Sequence, residues 1–219
     1  MSKKITGVKG EFTEQDLELY FSTVFAEDVI LFNKACGKDM KKTESAVEGF
    51  QMIVDEAKRV FEEALECFVA YNDKDDKERL DGLVDVIWCY TQINSLLTEF
   101  TEVYGTATPD VVSCFDFDED LIIVQNLAAI YTLAETLARS NRFTPKRIML
   151  AAQLIAENNS QKYTEVKSVA DDWINNVAVS GIELESNVVD SVTYYCLKRK
   201  EDNKVMKPYN FVPVKLEVY

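Results

Sequence analysis

The stretch "FEEALECFVAYNDKDDKERLDGLVDVIWC", Phe61 to Cys89, decides the fold. On both sides of its polar centre the apolar residues recur every three or four positions, the period of a helix with one buried face. Upstream, Phe50, Ile53, Val54, Ala57, Val60, Phe61, Ala64, Leu65 and Phe68 form one stripe, which predicts a helix from Ser45 to Tyr71. Downstream, Leu80, Leu83, Val84, Ile87, Tyr90 and Leu97 predict a second, ending near Gly105. The connection "NDKDDKE", Asn72 to Glu78, is short and polar, so the two helices should pack antiparallel.

Acidic residues sit inside this apolar pattern at helical spacing. Glu63 and Glu66 are three apart, Glu62 and Glu66 four apart, and Glu56 lies two turns before Glu63. On the second helix Asp81, Asp85, Trp88 and Gln92 follow a path expected to lie away from the main apolar side. Antiparallel packing brings the two acidic sets near one level of the bundle. Carboxylates so gathered repel each other unless cations lie among them, and hard oxygen donors suit Mg²⁺ or Mn²⁺. With 38 acidic residues in the chain, such pairs also arise by chance. Either motif alone equally describes a solvated helix face.

The flanks extend the helical reading. "TEQD" at Thr13 is a capping signal for a first helix that ends at Gly37. Asp118 or Asp120 opens a fourth helix through Asn141, and Thr144 with Pro145 starts a fifth. A short sixth spans Glu165 to Asn175. The tail is β-branched and aromatic, with a turn-like "EDNK" at Glu201 to Lys204, and reads as a hairpin or extended arm. Only 7 Gly and 4 Pro interrupt the chain, which favours long helices. The expected architecture is a single all-α domain over residues 1–219, a helical bundle with residues 190–219 as a β or extended appendage.

Composition removes several chemistries. Histidine is absent from the 219 residues, so Ser-His and Cys-His nucleophile pairs and His-containing zinc sites are excluded. The five cysteines are widely spaced with no C-x-x-C pair, as expected of reduced thiols. No run of 18 apolar residues and no apolar N-terminal segment follows "MSKK", so the expectation is a cytoplasmic protein without membrane partners. The net charge of −14 argues against direct nucleic-acid binding. It leaves room for an anionic substrate held through cations, or for a protein that mimics DNA.

The Phe61–Cys89 stretch resembles the E-E-x-x-E, gap, acidic-x-x-D pattern of the MazG-like all-α nucleoside triphosphate pyrophosphohydrolases. That superfamily also contains the dimeric dUTPases and the phosphoribosyl-ATP pyrophosphohydrolases. "DVILFNKACGK" is similar to the first-helix segment of its phage members, "ENNSQKY" to their S-N-x-x-K-[FY] signature, and "RKEDNKVMKPYNFVP" to their tail. The resemblance implies Mg²⁺-dependent hydrolysis of a nucleoside triphosphate to monophosphate and pyrophosphate, with Mn²⁺ as a possible substitute. It implies Glu62 and Glu63 as catalytic residues and Glu63, Glu66, Asp81 and Asp85 as metal ligands. Asn159 and Lys162 would meet the substrate, and Trp88 and Phe32 are aromatics able to stack on a base, with core packing as the other role for each. It also implies a homo-oligomer, dimer or tetramer, acting in the cytoplasm of a phage's bacterial host. One position departs from the pattern. Three residues before Asp85 the family has Glu and this chain has Gly82, so Asp81 stands in, with Glu78 and Glu56 in reserve. A dUTPase is the nearest alternative, and a non-enzymatic DNA mimic the alternative from another class.

Overall fold

The computed structural model describes residues 12–106, 109–114 and 143–214, together with 126, 129, 131, 132 and 136. The expected fourth helix, Asp118 to Asn141, lies almost wholly outside the described residues.

Two long helices form the centre. Helix α3 (Ala46–Asp73) begins where the Ser45 hydroxyl accepts from the Glu48 amide, and α4 (Asp76–Tyr104) begins where the Asp75 carboxylate accepts from the Lys77 and Glu78 amides. Lys74, at φ 58°, makes the reversal between them. Both helices therefore start and stop on local chemistry, and their apolar faces do the rest. They pass close together at Gly82: a Cβ there would lie 3.1 Å from the Cys67 backbone. A side chain the size of glutamate would force α3 and α4 apart.

Around this pair lie α1 (Glu14–Tyr20), a π-helical turn (Phe21–Phe25) and α2 (Ala26–Ala35), which together run as one interrupted helix. Thr13 and Asp16 form the expected capping box at its start. After a 3₁₀ turn (Met40–Lys42) and the central pair come α5 (Pro109–Val112) and α6 (Pro145–Ser160). Helix α6 is capped by Thr144, with Pro145 in its first turn. Strand β1 (Tyr163–Thr164) and α7 (Lys167–Asn175) follow. The chain ends in β2 (Ile182–Val189), β3 (Val192–Arg199) and β4 (Val205–Met206).

These strands correct the all-α expectation. They form a four-stranded antiparallel sheet in which β3 is flanked by β2 on one side and by β1 and β4 on the other. The fold is mostly helical but mixed. The sheet is no loose appendage either: it takes in β1 at Tyr163, its hairpin starts at Ile182 rather than at 190, and its β2 and β3 pack on α2 and α7. Cys196 and Val205 belong to the same buried cluster as the helices. The hairpin turns at Asp190–Ser191, both at positive φ, while the expected "EDNK" turn joins β3 to β4.

A polar knot ties the sheet to α2. Lys198 Nζ lies 2.8 Å from Glu185 Oε2, and Asn187 donates to Glu185 Oε1 and to the Ala35 carbonyl. Gly37, at φ 75°, passes directly under this knot, and a Cβ at that position would collide with the Glu185 carboxylate.

Candidate active site

Helices α3 and α4 present carboxylates toward one another next to the Gly82 crossing. Glu63, Asp81 and Asp85 are each partly buried, whereas Glu62, Glu66 and the reserve residue Glu78 are exposed. The energetic signature is mutual. Burial, then Glu63 and Asp81, push the Asp85 acid well above the ordinary aspartate range, and Lys162 opposes them. Burial, then Glu66 and Glu62, raise Glu63 to about 7, with Lys162 and Lys204 pulling the other way. Asp81 is raised by burial and by Glu78 and Glu66. Glu63, Glu66, Asp81 and Asp85 thus lie within electrostatic reach of one another. Glu62 is exposed and acts on Glu63.

The cations come from elsewhere in the chain. Asn159, in the last turn of α6, is buried, and its Oδ1 accepts from Lys162 Nζ at 2.6 Å. Burial lowers the Lys162 ammonium from its usual range while Asp85 supports its charge. Lys162 Nζ stands 5.9 Å from the centre of the Phe32 ring, and Lys38 Nζ stands 5.6 Å from the same centre.

Trp88 does not sit where a ligand could stack on it. It is 4% exposed and meets Phe25 and Phe32 edge-on at 5.4 and 5.5 Å. Gln92, on the same path, is buried and donates to Asn33. The Asp81–Gln92 path therefore turns inward after Asp85, because α4 is packed by α3, α2 and α6 together.

Glu56 is a counter-ion rather than a free donor. Its Oε1 lies 2.5 Å from Lys38 Nζ and 3.1 Å from Arg59 Nη1. Burial alone would raise its acid, but Lys38 and Arg59 outweigh that and hold it low. Lys38, Arg59, Lys204 and Lys207 are site-side residues that sequence reasoning missed. The one local signal was Lys38 itself, a lysine directly after the glycine that ends an apolar helix.

Among the described residues no group of three or more acidic or cysteine side chains stands at metal-ligand spacing. The donor chemistry nonetheless fits a hard divalent cation. Three carboxyl groups with raised proton affinity, and Glu66 beside them, are short of positive charge, and all of their donors are oxygen. A cleft of about 490 Å³ lies elsewhere, lined by Leu17, Phe21, Leu83, Ile87, Tyr90 and Ile148 among others. Positions 83, 87 and 90 face roughly opposite to 81 and 85 on α4, so this cleft is separate from the carboxylates.

Comparison with family models, with curated proteins and with solved structures found no match. No helix among the described residues is long and apolar enough to cross a membrane.

The raised acids make a stability prediction. A carboxyl with a folded-state value near 7 and an ordinary value of 4.5 binds its proton better when folded. Its stabilising contribution is complete below about 4.5 and is lost as pH rises through 7. Asp81 and Asp85 act in the same direction, while Glu56 and Asp202, both held low, titrate below this window. The metal-free protein should therefore melt at a higher temperature at pH 5.5 than at pH 8. The difference should be roughly 1–3 kcal/mol after allowance for partial solvent screening. Millimolar Mg²⁺ should raise the pH 8 value more than NaCl of equal ionic strength. A melting temperature in EDTA that stays flat or rises over this range would remove the strained carboxylates from the account.

Proposed function

We propose that this chain is a Mg²⁺-dependent nucleoside triphosphate pyrophosphohydrolase, releasing a nucleoside monophosphate and pyrophosphate. The observation that carries the reading is the opposition of Glu63 and Asp85, with Asp81 and Glu66 beside them, to the half-buried Lys162 ammonium: Lys162 acts on Glu63 and Asp85, and Asp85 acts on Lys162. A solvated acidic face would leave the carboxylates at ordinary acidity. A DNA mimic would spread its charge outward, away from any lysine. The resemblance of "FEEALECF", "DGLVDVIWC" and "ENNSQKY" to the MazG-like pattern supports the same reading.

In this reading Glu63, Glu66, Asp81 and Asp85 hold the cation. When bound, Mg²⁺ supplies charge neutralisation for the triphosphate and Lewis acidity toward the attacking water. The chain's own groups do the rest. Glu63, the partly buried member of the first acidic motif, accepts the proton of the water that attacks the α-phosphorus. The α–β anhydride bond breaks and pyrophosphate leaves with the bonding electron pair. Lys162, steadied by Asn159, holds phosphate oxygens as a charge-assisted donor. The buried faces of Phe32 and Trp88 keep that end of the site dry. A homo-oligomer belongs to the same proposal, supported by the exposed Phe61, Leu65 and Phe68 at helical spacing on α3.

The test is a screen of canonical and modified (deoxy)nucleoside triphosphates with Mg²⁺, with pyrophosphate measured separately from orthophosphate. Pyrophosphate should appear in equal amount to the monophosphate for at least one substrate. If dUTP alone is turned over, the narrower dUTPase reading holds, whereas no release from any nucleotide would overturn the enzyme reading.

A further inference from the structure

Strand β3 carries two short strands end to end on one edge. Strand β1 pairs Tyr163 with Cys196, and β4 pairs Met206 with Leu197. One residue before Tyr163 is Lys162, and one residue after Met206 is Lys207. The register therefore brings these two lysines, 45 residues apart in number, to the same point on the β3 edge. Each is within the other's field, and Lys207 also acts on Asp81. Lys204 leaves the turn just before β4, where Arg199 and Asp202 form an ion pair and the Lys204 amide donates to Asp202 Oδ1. Arg59 of α3 lies within reach of Asp202, and Lys204 within reach of Glu63. The turn therefore stands beside the acidic face of α3.

Two exposed ammonium groups are thus delivered by a short strand to the rim of a carboxylate site that already holds a third. Lys207 Nζ stands 5.0 Å from the centre of the Phe211 ring, a contact that leaves the side chain exposed. Lys204 and Lys207 are both exposed, and neither forms an ion pair shorter than 4.0 Å among the described residues. Three ammonium groups on one rim repel, and the arrangement is relieved by a ligand with several negative charges at spacings a polyphosphate provides.

We infer that Lys204 and Lys207 are substrate-binding residues that, with Lys162, grip the phosphate chain on the side away from the carboxylates. The β3–β4 turn is on this view a wall of the active site. The inference rests on the proposed function in taking the ligand to be a nucleoside triphosphate, and it adds residues on an element outside the helical bundle. It also states what those residues read: the polyphosphate, with no part in choosing the base.

Inorganic tripolyphosphate without metal is the probe, because it tests the lysines apart from catalysis. Titration calorimetry on the intact protein should show binding that weakens with salt. Lys204→Ala and Lys207→Ala should each weaken it about tenfold, and the double variant by more, as expected for lost charge-assisted contacts. Lys207→Arg should recover most of the loss, which a purely structural role would not require. Lys167→Ala, at an exposed lysine of α7 paired with Asp171, removes the same charge away from this turn and should change binding less than twofold. In turnover assays the double variant should raise KM for every nucleotide by a similar factor. If wild type binds tripolyphosphate and the double variant binds within twofold of it, this inference falls and the proposed function stands. A wild-type protein that binds no tripolyphosphate and turns over no nucleotide overturns both.

Discussion

Asp85→Asn is expected to abolish pyrophosphate release while making the metal-free protein more stable. The two effects have one cause. Asp85 is partly buried, and burial together with Glu63 and Asp81 disfavours its charge. Asparagine keeps the shape and removes the charge, so repulsion with Glu63 and Asp81 is relieved and the melting temperature in EDTA should rise at pH 8. The gain should be of the order of 1–3 kcal/mol, the scale of removing one poorly compensated buried charge. The same missing charge removes a donor for the cation and a counter-charge for Lys162. Turnover should fall by at least about 100-fold, the range for losing one preorganised electrostatic contact in a transition state. Glu63→Gln should repeat the pattern. Steady-state kinetics and thermal melts on the same preparations decide it. An Asp85→Asn protein that is less stable and fully active would mean that the carboxylate is structural.

Glu56→Gln should do the opposite and cripple folding. Glu56 is 2% exposed, and its single oxygen Oε1 serves both Lys38 and Arg59. Neutralising it leaves a buried lysine, 6% exposed, beside a guanidinium with no counter-charge. Breaking a buried pair from one side costs roughly 3–5 kcal/mol, a large part of the 5–15 kcal/mol that holds a typical domain together. Urea unfolding should show the midpoint shifted by that amount. Replacing both partners, Lys38→Met with Glu56→Leu, should recover much of the loss, since the buried ammonium is gone and the more exposed Arg59 can turn to solvent. A single variant that unfolds at the wild-type midpoint would show that Lys38 escapes to solvent at little cost.

The helices were legible in the sequence because their ends carry their own chemistry. Thr13 with Asp16, Ser45 before α3, and Thr144 with Pro145 before α6 each satisfy orphaned amides locally, and no distant residue can alter that. The carboxylates were legible for a related reason: spacing on one helix fixes which residues share a face. The fate of Glu56 was not legible, because its partner Lys38 is set by the path of a different segment past Gly37. Trp88 and Gln92 were read as lying away from the apolar side, but α4 is enclosed on several sides and the hydrophobic pattern reports only the average. The sheet escaped because β1 and β4 have two residues each, and the hairpin reverses at Asp190–Ser191 without a glycine to mark it. The alternation in "IELES" was the available signal for β2, and the reading placed the boundary after it.

The two halves of the site also differ in when they can form. The carboxylates lie between Glu63 and Asp85 on neighbouring helices joined by a tight reversal at Lys74, so they meet through contacts local in the chain. The lysines depend on β3 pairing with β1 and β4, which draws together residues from 162 to 207 and sets them against α3 and α4. Closing loops of that length comes later and more slowly than zipping a helical hairpin. On a ribosome, the acidic half is complete while the segment that carries Lys204 and Lys207 is still inside the exit tunnel. A nascent chain at that stage is a helical hairpin with surplus negative charge whose lysines have yet to arrive; on the proposed function it could collect cations but not nucleotides.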